Sequence, residues 1–145
     1  MAKNANTLAG DTASLSINIQ GRDEMVIVTA RGAARELSRE LGFGIVDQTR
    51  IATAISEIIR NVVLYASEGE VQFRVIEENG QPGLEMVVVD QGPGIADVER
   101  VLRGGYSTGN GFGRGISGAR SLMDDFELQS EVGSGTRVSM RKWLR

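Results

Sequence analysis

Cysteine and histidine are both absent from the 145 residues. The first absence excludes disulfides and thiolate metal sites. The second removes imidazole acid–base chemistry, histidine-ligated zinc and any phosphohistidine on this chain. A catalytic proton acceptor must therefore be a carboxylate, a lysine or a tyrosine. Aromatic residues are scarce at 5%, so the core has to be built from Val, Ile, Leu and Ala. A positive excess is missing too: the net charge is -3, which offers nucleic acid no broad basic face. The basic cluster Arg137, Arg141, Lys142 and Arg145 reads as a solvated strand end. No apolar run approaches the ~18 residues of a membrane span, and Met1 to Ser14 has no apolar leader-like segment. No membrane association is expected, and a soluble, cytoplasmic protein is. What is present, 41% hydrophobic and 24% charged residues, is the composition of one ordinary globular domain.

Along the chain, residues 1–13 look frayed and 14–145 reads as one domain. Ser14 to Ile19 alternates as a first strand. Asp23 can cap a helix to about Leu41, with Val26, Ala30, Ala33, Leu37 and Leu41 on one face, and Gly42-Phe43-Gly44 breaks it. Asp47 offers the next cap, for a helix reaching about Ala66. Val71 to Glu77 is a strand, Asn79 to Gly83 a turn, and Leu84 to Val89 the apolar run of a central strand. A short helix is expected over Asp97 to Leu102, a glycine-rich mobile stretch over Arg103 to Phe112, and a helix over Gly115 to Met123. A hairpin around Gly133-Ser134-Gly135 closes the chain. The order predicts an α/β (α+β) two-layer sandwich, a mixed sheet with helices on one face.

Four segments carry chemistry. Asp90, at the end of the apolar strand and followed by Gly92, Gly94 and Ile95, can accept a hydrogen bond from an exocyclic amine, or simply cap the turn. Glu57 and Asn61, at i and i+4, share a helix face beside the apolar stripe Ile51, Ile55, Ile58, Ile59 and Val62. An Asn oxygen suits Mg²⁺ and a Glu can act as base, though the same pair also occurs on solvated helix faces. Arg60 is kept structural, as a partner for Glu57. Gly109, Gly111, Gly113, Arg114 and Gly115 give bare backbone of the kind that phosphates need, leading straight into a helix. Thr136, after Gly135, can bring a hydroxyl near an adenine base or serve only in a hairpin turn. No Gly-Lys-Ser/Thr occurs, and Gly113-Arg114-Gly115-Ile116-Ser117-Gly118 does not follow a strand. This excludes the Walker loop and denies the Rossmann context.

Taken together, Glu57-x-x-x-Asn61, Asp90-x-Gly92-x-Gly94, Gly111-x-Gly113-x-Gly115 and Gly135-Thr136 resemble the four boxes of the GHKL ATPase superfamily. Within it the chain is similar to the small bacterial serine/threonine kinases of the anti-sigma and stressosome partner-switching type. The similarity rests on Val46 to Glu57 and on Ser107 through Gly118, and extends from Asp23 to Met140. It implies a Bergerat-type, mostly antiparallel sheet. It also implies ATP with Mg²⁺ held at Asn61, adenine at Asp90, phosphates at the glycine run and Glu57 as base. The implied substrate is a serine or threonine of a STAS-domain antagonist or scaffold, with a PP2C-type phosphatase activated on release. An anti-sigma factor that binds a sigma factor, or a nucleotide-gated regulator with little kinase activity, is the alternative. Sigma-binding relatives usually carry an arginine just before the second glycine box, where this chain has Gly111 or Phe112. That leaves Arg103 and Arg114 as phosphate-contact candidates and favours the switch-kinase branch.

Overall fold

A computed structural model of the chain describes residues 14–104 and 115–145. The expected frayed stretch 1–13, together with Gly109, Gly111, Gly113 and Arg114, lies outside them. Five strands, β1 (Ser14–Gln20), β2 (Glu68–Glu78), β3 (Gln81–Asp90), β4 (Asp125–Glu131) and β5 (Gly135–Trp143), form one sheet in the order β1-β2-β3-β5-β4. All four neighbouring pairs are antiparallel. Helices α1 (Met25–Leu41), α2 (Ile45–Asn61), α3 (Val98–Leu102) and α4 (Ile116–Leu122), with a π-helical turn over Val62–Ala66 directly after α2, complete the described elements.

Strand period decides which side chains meet the helices. The register aligns Leu15, Phe73, Met86, Met140 and Phe126 in one row across the sheet, and Ile17, Val71, Val88, Val138 and Leu128 in the next. Apart from Leu15, which is exposed, these rows pack on Ile27, Ala30 and Ala34 of α1 and on Ile51, Ile55 and Ile59 of α2 in one apolar cluster. The third row, Ile19, Gly69, Asp90, Thr136 and Ser130, turns polar where the strands end. On the opposite face, Glu85 is buried between Arg74 (2.7 Å) and Arg141 (2.9 Å).

Several boundaries differ from expectation. The α1 cap is Glu24, one residue on, with Asp23 Oδ1 accepting from the Met25 amide at 3.0 Å. Gly44, not Asp47, caps α2; the Asp47 carboxylate instead meets Arg50 Nη1 at 3.0 Å and Lys142 Nζ at 3.8 Å. The helical run does reach Ala66, but its last turn, Val62–Ala66, is π-helical and closes with a Ser67 N–H to Val62 carbonyl bond of 2.8 Å. The turn expected over Asn79 to Gly83 shrinks to Asn79-Gly80, both at positive φ, because Glu78 already pairs with Gln81. The basic tail is not simply solvated. Lys142 continues the inward alternation of Val138 and Met140 and is only 8% exposed, and its Nζ donates to the Leu122 carbonyl at 3.2 Å.

Candidate functional site

The polar row and the end of α2 converge through close backbone approaches. On α2, Glu57 Oε2 accepts from Arg60 Nη1 at 2.9 Å, and Asn61, buried one turn later, donates Nδ2 to the Glu57 carbonyl at 3.3 Å. Gly115, at φ +89° as the cap of α4, lies directly against Glu57: a Cβ there would sit 2.3 Å from Glu57 Oε1. The π-turn carries α2 onward until Ala66 rests on Gly92, where a Cβ would come within 2.6 Å of the Ala66 Cβ. An extra residue in a helical turn changes which side chain arrives at its end, and such turns recur at functional sites.

Asp90 is the centre of the row. Its Oδ1 accepts from the Gly92 amide at 2.8 Å, the return bond that a glycine turn allows. Burial pushes its carboxyl pKa upward, and the Gly92 and Thr136 backbone amides pull it only part of the way back. A buried carboxylate that accepts two backbone amides retains further lone pairs for a ligand donor.

The glycine turn after Asp90 is clamped onto the β4–β5 hairpin. Gly94, at φ +80°, is so close to Glu131 that a Cβ would fall 2.0 Å from its carbonyl oxygen. Gly133 donates its N–H to the Pro93 carbonyl at 2.8 Å, and the buried Ile95 donates its N–H to Ser130 Oγ at 2.7 Å. Thr136, opposite Asp90 in register, is buried. Asp90, Ser130, Gly135 and Thr136 line one cavity of about 660 Å³. Glu57, Asn61 and Gly115 thus form one group, and Asp90, Gly92, Gly94, Ile95 and Thr136 another that borders the cavity; the π-turn after α2 joins the two through the Ala66–Gly92 approach. Of the candidate arginines, Arg103 is exposed with Glu99 at 3.7 Å, and Arg114 is outside the described residues. Sequence reasoning missed Ser130 and Ala66. Ser130 was within reach, since it is the inward position after Phe126 and Leu128; Ala66 was not, because nothing in a periodic pattern announces a π-turn.

A family profile described as the histidine kinase-like ATPase domain matches residues 21–142. The chain belongs to that family. It is 48% identical over 122 residues to the serine/threonine-protein kinase RsbT of Bacillus subtilis, covering 84% of this chain and 92% of the relative. It is 30% identical over 121 residues to the anti-sigma F factor of Caldanaerobacter subterraneus, covering 79% and 83%. Among solved structures, the RsbU and RsbW domains of a Mycobacterium tuberculosis protein align with a TM-score of 0.62 at 19% identity. That alignment covers 92% of this chain and 34% of the other, and it supports the α+β fold. An ATP-binding, kinase-like domain is therefore the frame for the geometry above. Among the described residues, no helix is long and apolar enough to cross a membrane.

Proposed function

We propose that this chain transfers the γ-phosphoryl group of ATP to a serine or threonine of a STAS-domain antagonist or scaffold, in a cytoplasmic partner-switching pathway. On release from that partner it activates a PP2C-type phosphatase. By enzyme class it is a serine/threonine-protein kinase, in keeping with its 48% identity to RsbT and the ATPase domain match over most of its length. The observation that carries the nucleotide assignment is Asp90: a buried carboxylate whose partners among the described residues are the Gly92 and Thr136 amides, beside glycines that leave no room for a Cβ.

In this reading Asp90 accepts from the adenine amine, and Gly92, Gly94, Ile95 and Thr136 shape the base site. Gly109, Gly111, Gly113, Arg114 and Gly115 are the residues assigned to the phosphates. Glu57 accepts the proton of the attacking hydroxyl, held in place by Arg60 and by the backbone of Gly115. Among the described residues no cluster of three acidic or histidine side chains could hold a metal. That fits Mg²⁺, which typically takes one or two protein ligands and binds largely through substrate phosphates and water. Asn61 is the ligand proposed here, and the ion would offset phosphate charge during transfer.

Incubation with γ-labelled ATP, magnesium and a STAS-domain protein should give labelled phosphoserine or phosphothreonine. ATP uptake without any label on the acceptor would overturn the kinase assignment in favour of a nucleotide-gated regulator. The 30% identity to an anti-sigma F factor supports a second reading, in which the output is binding to a sigma factor. Stable, nucleotide-dependent retention of a sigma factor on the immobilised protein would favour that reading.

A further inference from the structure

Ser130 sits at the end of the polar row with three neighbours within hydrogen-bond reach. Its Oγ lies 2.7 Å from Ile95 N, 3.0 Å from the Gly135 carbonyl oxygen and 2.8 Å from Thr136 Oγ1. A serine hydroxyl has one proton and two lone pairs. The Ile95 amide can only donate and the Gly135 carbonyl can only accept. Ser130 therefore gives its proton to Gly135 and one lone pair to Ile95. Only a lone pair remains for Thr136, so Thr136 must donate its own proton to Ser130. Once that proton is committed, Thr136 Oγ1 has nothing but lone pairs to offer into the cavity it lines with Asp90.

We propose that Ser130 is a positioning residue that sets base specificity. By fixing the Thr136 hydroxyl as an acceptor, it makes the Asp90–Thr136 corner acceptor-only. Such a corner takes a 6-aminopurine and disfavours a 6-oxopurine. The exocyclic amine brings two protons to two acceptors, directly or through one water. A 6-oxopurine brings an oxo oxygen and a single N1 proton to the two acceptors, so at least one buried acceptor faces a lone pair and is left unmatched. Without Ser130, the Thr136 hydroxyl can rotate and donate, and the discrimination weakens. The inference rests on the assignment of Asp90 to the nucleotide base.

The test compares ATP with inosine triphosphate, which carries the same ribose and phosphates but has an oxo group at C6 and a proton on N1. Calorimetry on the full chain with magnesium gives both dissociation constants for the wild type, S130A and S130T. The wild type should prefer ATP. S130A should narrow the ATP-to-inosine-triphosphate preference about tenfold, the scale of one hydrogen bond exchanged for a mismatch. S130T, which keeps the hydroxyl, should restore it. A residue that merely fastens the Ile95 loop would weaken both nucleotides together and leave their ratio alone, and that result overturns the proposal. If S130A does not fold, T136V, which removes the lone pairs altogether, must lower the ratio; an unaltered ratio there overturns it equally. A wild type that takes up neither nucleotide instead brings down the assignment of Asp90.

Discussion

The helix-covered face of the sheet buries charge at both ends, and the two ends handle it in opposite ways. At the far end Lys142 Nζ lies 3.6 Å from Asp124 and 3.8 Å from Asp47, and Asp124 also meets Arg145 at 3.3 Å and the Trp143 amide at 2.7 Å. Burial works against the ionised Asp124, but the Trp143 amide, Lys142 and Arg145 outweigh it, and the carboxyl pKa ends below its ordinary value. At the near end Asp90 has the Gly92 and Thr136 amides and, among the described residues, no cationic partner, so burial wins and its pKa ends above the ordinary value. One end ties α2, α4 and β5 together; the other holds an acceptor whose compensation is incomplete. Incomplete compensation of a buried charge is typical of a place where a ligand binds.

The widest separation between the two ends should appear at Glu57. Its pair with Arg60 is a partly exposed i, i+3 contact, with side chains 33% and 47% exposed, and such pairs add little to stability. E57A should bind ATP and keep its melting temperature, yet lose phosphoryl transfer by roughly 10²–10⁴-fold, the range of a general base. Transfer at wild-type rate would remove Glu57 from the chemistry.

Asp90 comes next in size. D90N removes the charge but keeps the shape, so ATP affinity should drop by roughly 10–100-fold, the range for a hydrogen bond to a charged group. Folding stability should hold or rise, because an under-compensated buried carboxylate has gone. Retained nucleotide affinity by calorimetry would break the assignment. Gly115 follows. G115A forces a side chain into left-handed backbone at φ +89° and against Glu57 Oε1, at a cost of about 1–3 kcal/mol. Denaturant melts should show that loss, with transfer reduced alongside.

Most of this organisation was legible in the chain itself. The 3.6-residue spacing gave α1 and α2, and the period-2 alternation gave the strands. Glu57 and Asn61 stood out as candidates because polar residues stood beside an apolar stripe, and Asp90 because an acid ended an apolar run. The remainder depended on tertiary placement. Asp47 has the chemistry of a cap, but its carboxylate lies with Arg50 and Lys142, leaving Gly44 at the helix start. Lys142 looked like part of a basic tail, although the alternation Val138, Met140, Lys142 already pointed it inward. Its burial became visible only with Asp47 and Asp124 drawn around it from elements far off in sequence. The proton count around Ser130 likewise needs three strand and loop positions at once, and no local pattern contains them.

Asp124 offers the smallest effect and the sharpest opposition. Its lowered pKa means that its ionised form stabilises the fold at neutral pH, and that this contribution is lost as pH falls through the folded value. For Asp90 the sign reverses: its ionised form opposes folding, and protonation as pH falls through its raised value relieves that opposition. D124N should therefore cost about 1–2 kcal/mol near neutrality, and its deficit against the wild type should shrink as the pH falls. D90N should show no such deficit at neutral pH, and any advantage it holds over the wild type should fade on acidification. ATP binding by the wild type should weaken over the acid range in which Asp90 takes up its proton, and D124N should follow the same binding profile. Urea melts and nucleotide titrations across the acid range, run on both variants, check the two signs together. Parallel behaviour of the two aspartates would mean that the ends of the sheet are not electrostatically distinct.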